Sequence, residues 1–267
     1  MLLWVEAEAS CPSSDRHRVR RGILHGLTRV VDLDLSGCFD NIRHHLLLGQ
    51  VGCRVRDAEV MHLLRLILKA NGTKGVPQGG VISPLLSNLY LNGVDEMMEK
   101  AREDTRRKGY DNLDFVRRAD DMVILVHGHP KEDRLVGLVQ RRLEEELDKL
   151  QVQMKQEKTR GVKLKEGSCF SFLGFEIRLN RNREGESYVS KTPRMKKRKE
   201  NGRKVKAVLK AHHDKPLKEV IQAVNAVVRG RVNYFRIGNS NDTFGKVKYF
   251  LEKKVRRFVM KRKGRKG

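Results

Sequence analysis

The chain has only four cysteines in 267 residues, Cys11, Cys38, Cys53 and Cys169, and none stands in C-x-x-C spacing. Neither a disulfide framework nor a zinc site is suggested, and a reducing compartment fits. Long apolar runs are missing too. The opening "MLLWVEAEAS" reaches Glu6 and Glu8 after a few apolar residues, too short for a signal peptide or a membrane span, so a cytoplasmic protein with no membrane partner is expected. No internal repeat is present. Acid is scarce at one end only: residues 187–267 hold 5 Asp/Glu against 26 Lys/Arg, whereas residues 1–186 hold 28 against 31.

The net charge of +24 and the pI near 10.2 therefore reside in the last third of the chain. Such a concentration points to a polyanion, with nucleic acid ahead of an anionic membrane surface. A merely solubilising charged tail is the plain alternative. With 39% hydrophobic residues, the length suits one large or two modest domains.

What is present is a set of strong periods. In "RVVDLDL", Val31, Leu33 and Leu35 alternate with Asp32 and Asp34, which predicts a strand with one apolar face and both aspartates on the other. Helical spacing follows over Val60 to Leu68 and again over Leu85 to Met98, after the loop "GVPQGGVISP". "LDFVR" and "DMVILV" read as paired strands joined by an Arg-Ala-Asp turn, with a helix over Leu135 to Leu150 beyond. "CFSFLGFEIRL" reads as one more strand. Residues 1–28, rich in turn formers and bases, show no period and build no convincing element. The turn-rich, basic stretch near "SKTPRMKKRKENGRK" marks a boundary, and the residues beyond it repeat helically. The expected organisation is a poorly determined segment 1–28, a mixed domain 29–186 and a basic all-helical domain 187–267, in an α+β fold.

The chemistry gathers in the acids. A strand presenting Asp34 and a turn presenting Asp120 and Asp121 can collect three carboxylates at one point. Packed that closely they repel unless a cation neutralises them, and hard oxygen donors suit Mg²⁺. Two such ions activate an attacking oxygen and stabilise a leaving one, as in polymerases and nucleases. Adjacent aspartates in a hairpin turn are also ordinary turn residues, so the carboxylates do not decide the matter by themselves.

Four segments occur in an order that does. "VVDLDLSGCFDNIRHHLLL" (30–48), "GVPQGGVISPLLSNLYLNGVDEMME" (75–99), "FVRRADDMVIL" (115–125) and "FSFLGFEI" (170–177) resemble the palm motifs of bacterial group II intron reverse transcriptases, and "VVRGRVNYFRIGNSNDTFGKVKYFL" resembles their maturase-specific thumb. The resemblance implies a reverse-transcriptase palm, an antiparallel sheet packed on helices, followed by a basic helical thumb. It implies an RNA-directed DNA polymerase that uses two Mg²⁺ ions, an RNA template, a DNA primer and deoxynucleoside triphosphates, and that binds group II intron RNA to assist splicing and retrohoming.

By the same resemblance, Asp34, Asp120 and Asp121 are the catalytic and metal-binding carboxylates. Phe39 is the bulky residue that blocks a ribose 2′-hydroxyl. Pro77, Gln78 and Gly79 form the loop beneath the incoming nucleotide, and Lys158 approaches its phosphates. Phe172, Leu173, Gly174 and Phe175 form the primer grip. Arg194, Lys196, Lys197, Arg198, Lys199, Arg203 and Lys204 supply an RNA-binding run.

The chain departs from that pattern at Arg118, where an aromatic residue is usual, at Arg43, where an acid is usual, and at Arg231, where tryptophan is common. Residues 1–28 match no fingers region, so an N-terminally truncated copy without an endonuclease segment is expected. Two other readings stay open here: a remnant that binds RNA without polymerising, and a metal-dependent nuclease, which leaves the "PQGG" loop without a role.

Overall fold

The N-terminal run without a visible period folds as a helix, α1 (Pro12–Leu24), in the computed structural model, which describes residues 12–35, 37–106, 111–154, 160–236, 239 and 241–264. This corrects the expectation for the described part of residues 1–28. The inward stripe does have helical spacing, but its first members are charged: Asp15 and Arg16 are buried together with Val19, Ile23 and Leu27. Interior charge is rare enough that a hydropathy pattern misses it.

After α1 come β1 (Arg29–Asp34), α2 (Cys38–Asn41), α3 (His44–Gly52), α4 (Ala58–Ala70), α5 (Ser83–Tyr90), α6 (Asn92–Thr105), β2 (Leu113–Arg118), β3 (Asp121–Val126), α7 (Asp133–Lys149) and β4 (Arg160–Lys163). Local chemistry sets several ends. Asp57 caps α4 by accepting from the amides of Glu59 at 2.8 Å and Val60 at 3.0 Å, and Pro84 stands in the first turn of α5. The helical run predicted over 85–98 divides at Leu91 into α5 and α6.

The strands form one antiparallel sheet in the order β2-β3-β1-β4. One face, carrying Val31, Leu33, Phe115, Met122 and Ile124, packs on Leu86, Tyr90, Val94 and Met98 of α5 and α6 and on Val139, Leu143 and Leu147 of α7. The other face is covered as well. Val30, Val123 and Leu125 are buried there, and a Cβ on Gly22 of α1 would lie 2.9 Å from Leu125 Cδ1, so a larger residue would make that side chain shift. Burying Val19, Ile23 and Leu27 contributes about 1.5–3 kcal/mol each.

Compact units divide at Phe170–Ser171, inside β5 (Cys169–Phe172), ahead of the compositional change near residue 187. The single strand expected at "CFSFLGFEIRL" is two, β5 and β6 (Phe175–Arg181), turning at Leu173 and Gly174, both with positive φ of 48° and 80°. A further strand, β7 (Ser187–Pro193), pairs with β6, so the back part is not all-helical from residue 187. Then follow α8 (Met195–Ala211), α9 (Leu217–Phe235) and α10 (Asn241–Lys263), around a small core of Val205, Leu209, Val220 and Val224 with Leu251 and Phe258 against it.

Candidate active site and nucleic-acid interface

The β2–β3 hairpin closes on the pair Arg118 and Asp121, leaving a two-residue turn, Ala119–Asp120. Ala119 has φ 54°, a left-handed backbone that a residue bearing a Cβ adopts only when its surroundings hold it there. At the same end of the sheet, Asp34 of β1 is the direct antiparallel partner of Asp121, and the Leu35 amide faces the Asp120 carbonyl at 3.5 Å. The backbone therefore brings all three predicted carboxylate positions to one end of the sheet. Asp120 is half-buried and Asp121 exposed, while the side chain of Asp34 lies outside the described set.

The two arginines of "FVRRADD" are each engaged by an acid of another element. Arg117 forms a two-pronged ion pair with Asp95 of α6, Nε donating to Oδ1 at 2.7 Å and Nη2 to Oδ2. Arg118 Nη1 donates to Asp15 Oδ2 of α1 at 2.8 Å. The departure at Arg118 is thus matched by an acid in the segment whose structure was hidden in the sequence.

Beside the turn, α2 carries Cys38 and Phe39. Cys38 is buried, and burial pushes its thiol pKa up. Phe39 is half-buried against the main core. Its carbonyl accepts the Val76 amide at 2.8 Å, and the Ile42 carbonyl accepts the Gly75 amide at 2.8 Å. Gly75 has φ 83°, and a Cβ there would stand 2.9 Å from the Asp40 carbonyl oxygen. Gln78 Nε2 donates to Asp40 Oδ1 at 2.8 Å, and Ser83 Oγ donates to the Pro77 carbonyl at 2.6 Å. The loop carrying Pro77, Gln78 and Gly79 is thereby tied to α2 through Val76 and Gln78, with Gln78 and Gly79 exposed. Lys158 lies outside the described residues. Among the described residues no group of three His, Cys, Asp or Glu side chains forms a metal-ligand cluster.

Residues 10–177 match the family described as Reverse transcriptase (RNA-dependent DNA polymerase), and residues 198–267 match the Group II intron, maturase-specific domain. The chain belongs to the reverse transcriptase family, in its group II intron branch. Among similar proteins, protein YkfC of Escherichia coli (strain K12) is 33% identical over 195 residues, 61% of this chain and 50% of that protein. The group II intron-encoded protein LtrA of Lactococcus lactis subsp. cremoris is 37% identical over 82 residues, 27% of this chain and 14% of that protein. The matches thus span half or less of the length of these relatives. Apo telomerase from Candida tropicalis has a TM-score of 0.48 at 18% identity, covering 63% of this chain and 35% of that one.

Within the second unit, the "FLGF" residues are built into the helical part. Phe172 and Phe175 are buried. Phe175 packs on the rings of Phe235 and Tyr234 of α9, with centroids at 5.0 and 6.1 Å. Tyr234 donates its hydroxyl to the Leu173 carbonyl at 3.0 Å, and the Gly174 carbonyl accepts the amide of Arg194 at 3.0 Å. Arg194, Arg203 and Lys204 are exposed, with Lys204 3.7 Å from Glu200. Lys196, Lys197, Arg198 and Lys199 lie on α8, their side chains outside the described set.

A second group of cations lies on α10. The Lys254 ammonium is driven below the ordinary lysine range, first by Lys206 of α8, then by desolvation and by Arg257, Lys253 and Lys261. Lys253 lies over the ring of Tyr249, an exposed residue, and Lys254 over Phe250. The visible signal was the interleaving of bases and aromatics in "KVKYFLEKKVRRF". No helix of the described residues is long and apolar enough to cross a membrane.

Proposed function

We propose that this chain is an RNA-directed DNA polymerase of the group II intron type, adding deoxynucleotides to the 3′ end of a DNA primer on an RNA template and gripping intron RNA with its basic second unit to assist splicing and retrohoming. The observation that carries this reading is the meeting of Asp34, Asp120 and Asp121 at one sheet end, beside the loop that joins Phe39 to Gln78.

The donor set fits Mg²⁺: carboxylate oxygens are hard ligands, and acids brought together this way need a neutralising cation. Asp34, Asp120 and Asp121 would hold a pair of Mg²⁺ ions, which when bound polarise the primer hydroxyl and offset the charge on the triphosphate. Phe39 closes the space beside the sugar and so rejects a ribose 2′-hydroxyl. The Asp40 carboxylate can only accept, so it turns the NH₂ of Gln78 toward itself and leaves the amide oxygen for the substrate. Pro77 and Gly79 complete the floor of that pocket, and Lys158 approaches the phosphates. Phe172, Leu173, Gly174 and Phe175 seat the primer strand. Arg194, Lys196, Lys197, Arg198, Lys199, Arg203 and Lys204, joined by the α10 cations, neutralise RNA phosphates, and counterion release makes that grip salt-dependent.

Primer extension on an RNA template with Mg²⁺ tests the reading. The wild-type chain extends the primer and Asp120→Ala does not, although both bind RNA with the same salt dependence. A wild-type chain that binds RNA but never extends would replace the polymerase with an RNA-binding remnant.

A further inference from the structure

Asp120 sits between two peptide groups, and a different element reaches each. The peptide after it meets β1, its carbonyl facing the Leu35 amide at 3.5 Å, a distance at the limit of a hydrogen bond. The peptide before it is held more firmly: Arg117 Nη1 donates to the Ala119 carbonyl at 3.1 Å. The same Nη1 donates to Asn88 Oδ1 of α5 at 3.1 Å, and the rest of the guanidinium is locked on Asp95 of α6. The Arg117 side chain is only 7% exposed. A planar guanidinium fixed along one edge by a carboxylate has little freedom left, so the carbonyl it grips is fixed with it.

That carbonyl belongs to the strained residue. Ala119 at φ 54° prefers another conformation, and that preference pushes the turn to open. Arg117, held on Asp95 and Asn88, opposes the opening through its hydrogen bond to the Ala119 carbonyl.

We propose that Arg117 is the positioning residue of the catalytic turn: buried and pinned to α5 and α6, it holds the Ala119–Asp120 peptide in its strained geometry, so that Asp120 is aimed for metal before metal binds. This rests on the metal reading of Asp34, Asp120 and Asp121.

Mn²⁺ alone, titrated into the protein and followed by electron paramagnetic resonance, separates the two ideas. Wild type binds Mn²⁺ in a manner lost in Asp120→Ala. Arg117→Lys keeps a cation against Asp95 but loses the fork; it stays folded by near-UV circular dichroism and binds Mn²⁺ about tenfold more weakly, as loss of an outer-shell support does. Adding Ala119→Gly recovers part of that loss, since glycine adopts positive φ without strain. Wild-type affinity in a folded Arg117→Lys, or a deeper loss with the glycine, overturns the proposal while leaving the metal site standing. Absence of Asp120-dependent Mn²⁺ binding in wild type overturns the metal site and the proposal with it. Should Arg117→Lys fail to fold, Asn88→Ala, at an exposed position of α5, gives the same readout: a smaller loss in the same direction supports the proposal, and wild-type affinity overturns it.

Discussion

Three glycines of the reverse-transcriptase unit should respond to alanine in three different ways. At Gly75 the backbone has φ 83° and the new methyl would stand 2.9 Å from the Asp40 carbonyl oxygen and 3.0 Å from that of Phe39. The left-handed backbone costs about 1–2 kcal/mol, and forcing a methyl against two fixed carbonyls costs about 1–3 kcal/mol more. At Gly79 the φ is similar, 87°, but nothing lies within 4 Å of the new methyl, so only the backbone cost of about 1–2 kcal/mol remains. Gly49 lies in α3 with nothing within 4 Å, and alanine there should stabilise by roughly 0.5–1 kcal/mol. Urea unfolding at constant slope measures all three, and each kcal/mol corresponds to about 2–4 °C in melting temperature for a unit of this size. Because Gly75 ties the "PQGG" loop to α2, Gly75→Ala should also raise the nucleotide KM more than Gly79→Ala does. Equal losses at Gly75 and Gly79 would refute the close approach of that loop to Phe39 and Asp40.

The buried Tyr90 hydroxyl donates to the Leu150 carbonyl at 2.5 Å and accepts the Arg43 amide at 3.3 Å, so Tyr90→Phe should cost about 1–3 kcal/mol in urea unfolding. Burial raises the Tyr90 pKa, partly opposed by the Arg43 amide; the stability this contributes is whole below about pH 10 and lost as pH rises through the raised value, and Tyr90→Phe should lack that alkaline limb. Lys206→Gln and Lys254→Gln should each weaken RNA binding across sequences and reduce the slope of log affinity against log salt by roughly one, read from filter binding at several salt concentrations. An unchanged slope would remove the α8–α10 cations from the interface.

Legibility in the sequence followed the reach of its patterns. The hairpin β2–β3, the strand β1 and the helix α7 were readable because their apolar periods are unbroken. The division at Leu91 was hidden because Leu86, Tyr90, Val94 and Met98 keep a four-residue spacing straight through it. Leu173 disguised a turn, being an apolar residue at positive φ. Helix α1 was invisible because its inward stripe opens with Asp15 and Arg16.

The site divides the same way. Asp34, Asp120 and Asp121 stood out by residue type and by motif order. Their supports did not, because the acids that engage Arg117 and Arg118 lie 22 and 103 residues away in the chain. Such pairs are made by tertiary contact and leave no local period. The positive field around Lys254 is likewise assembled from two helices far apart in sequence.

The most direct test of the central claim is a crystal of the protein soaked in Mn²⁺ and read by anomalous scattering. Metal peaks are expected in contact with the carboxylates of Asp34, Asp120 and Asp121, and are absent from an Asp120→Ala crystal. Peaks only elsewhere, with those three carboxylates turned away from one another, would contradict it.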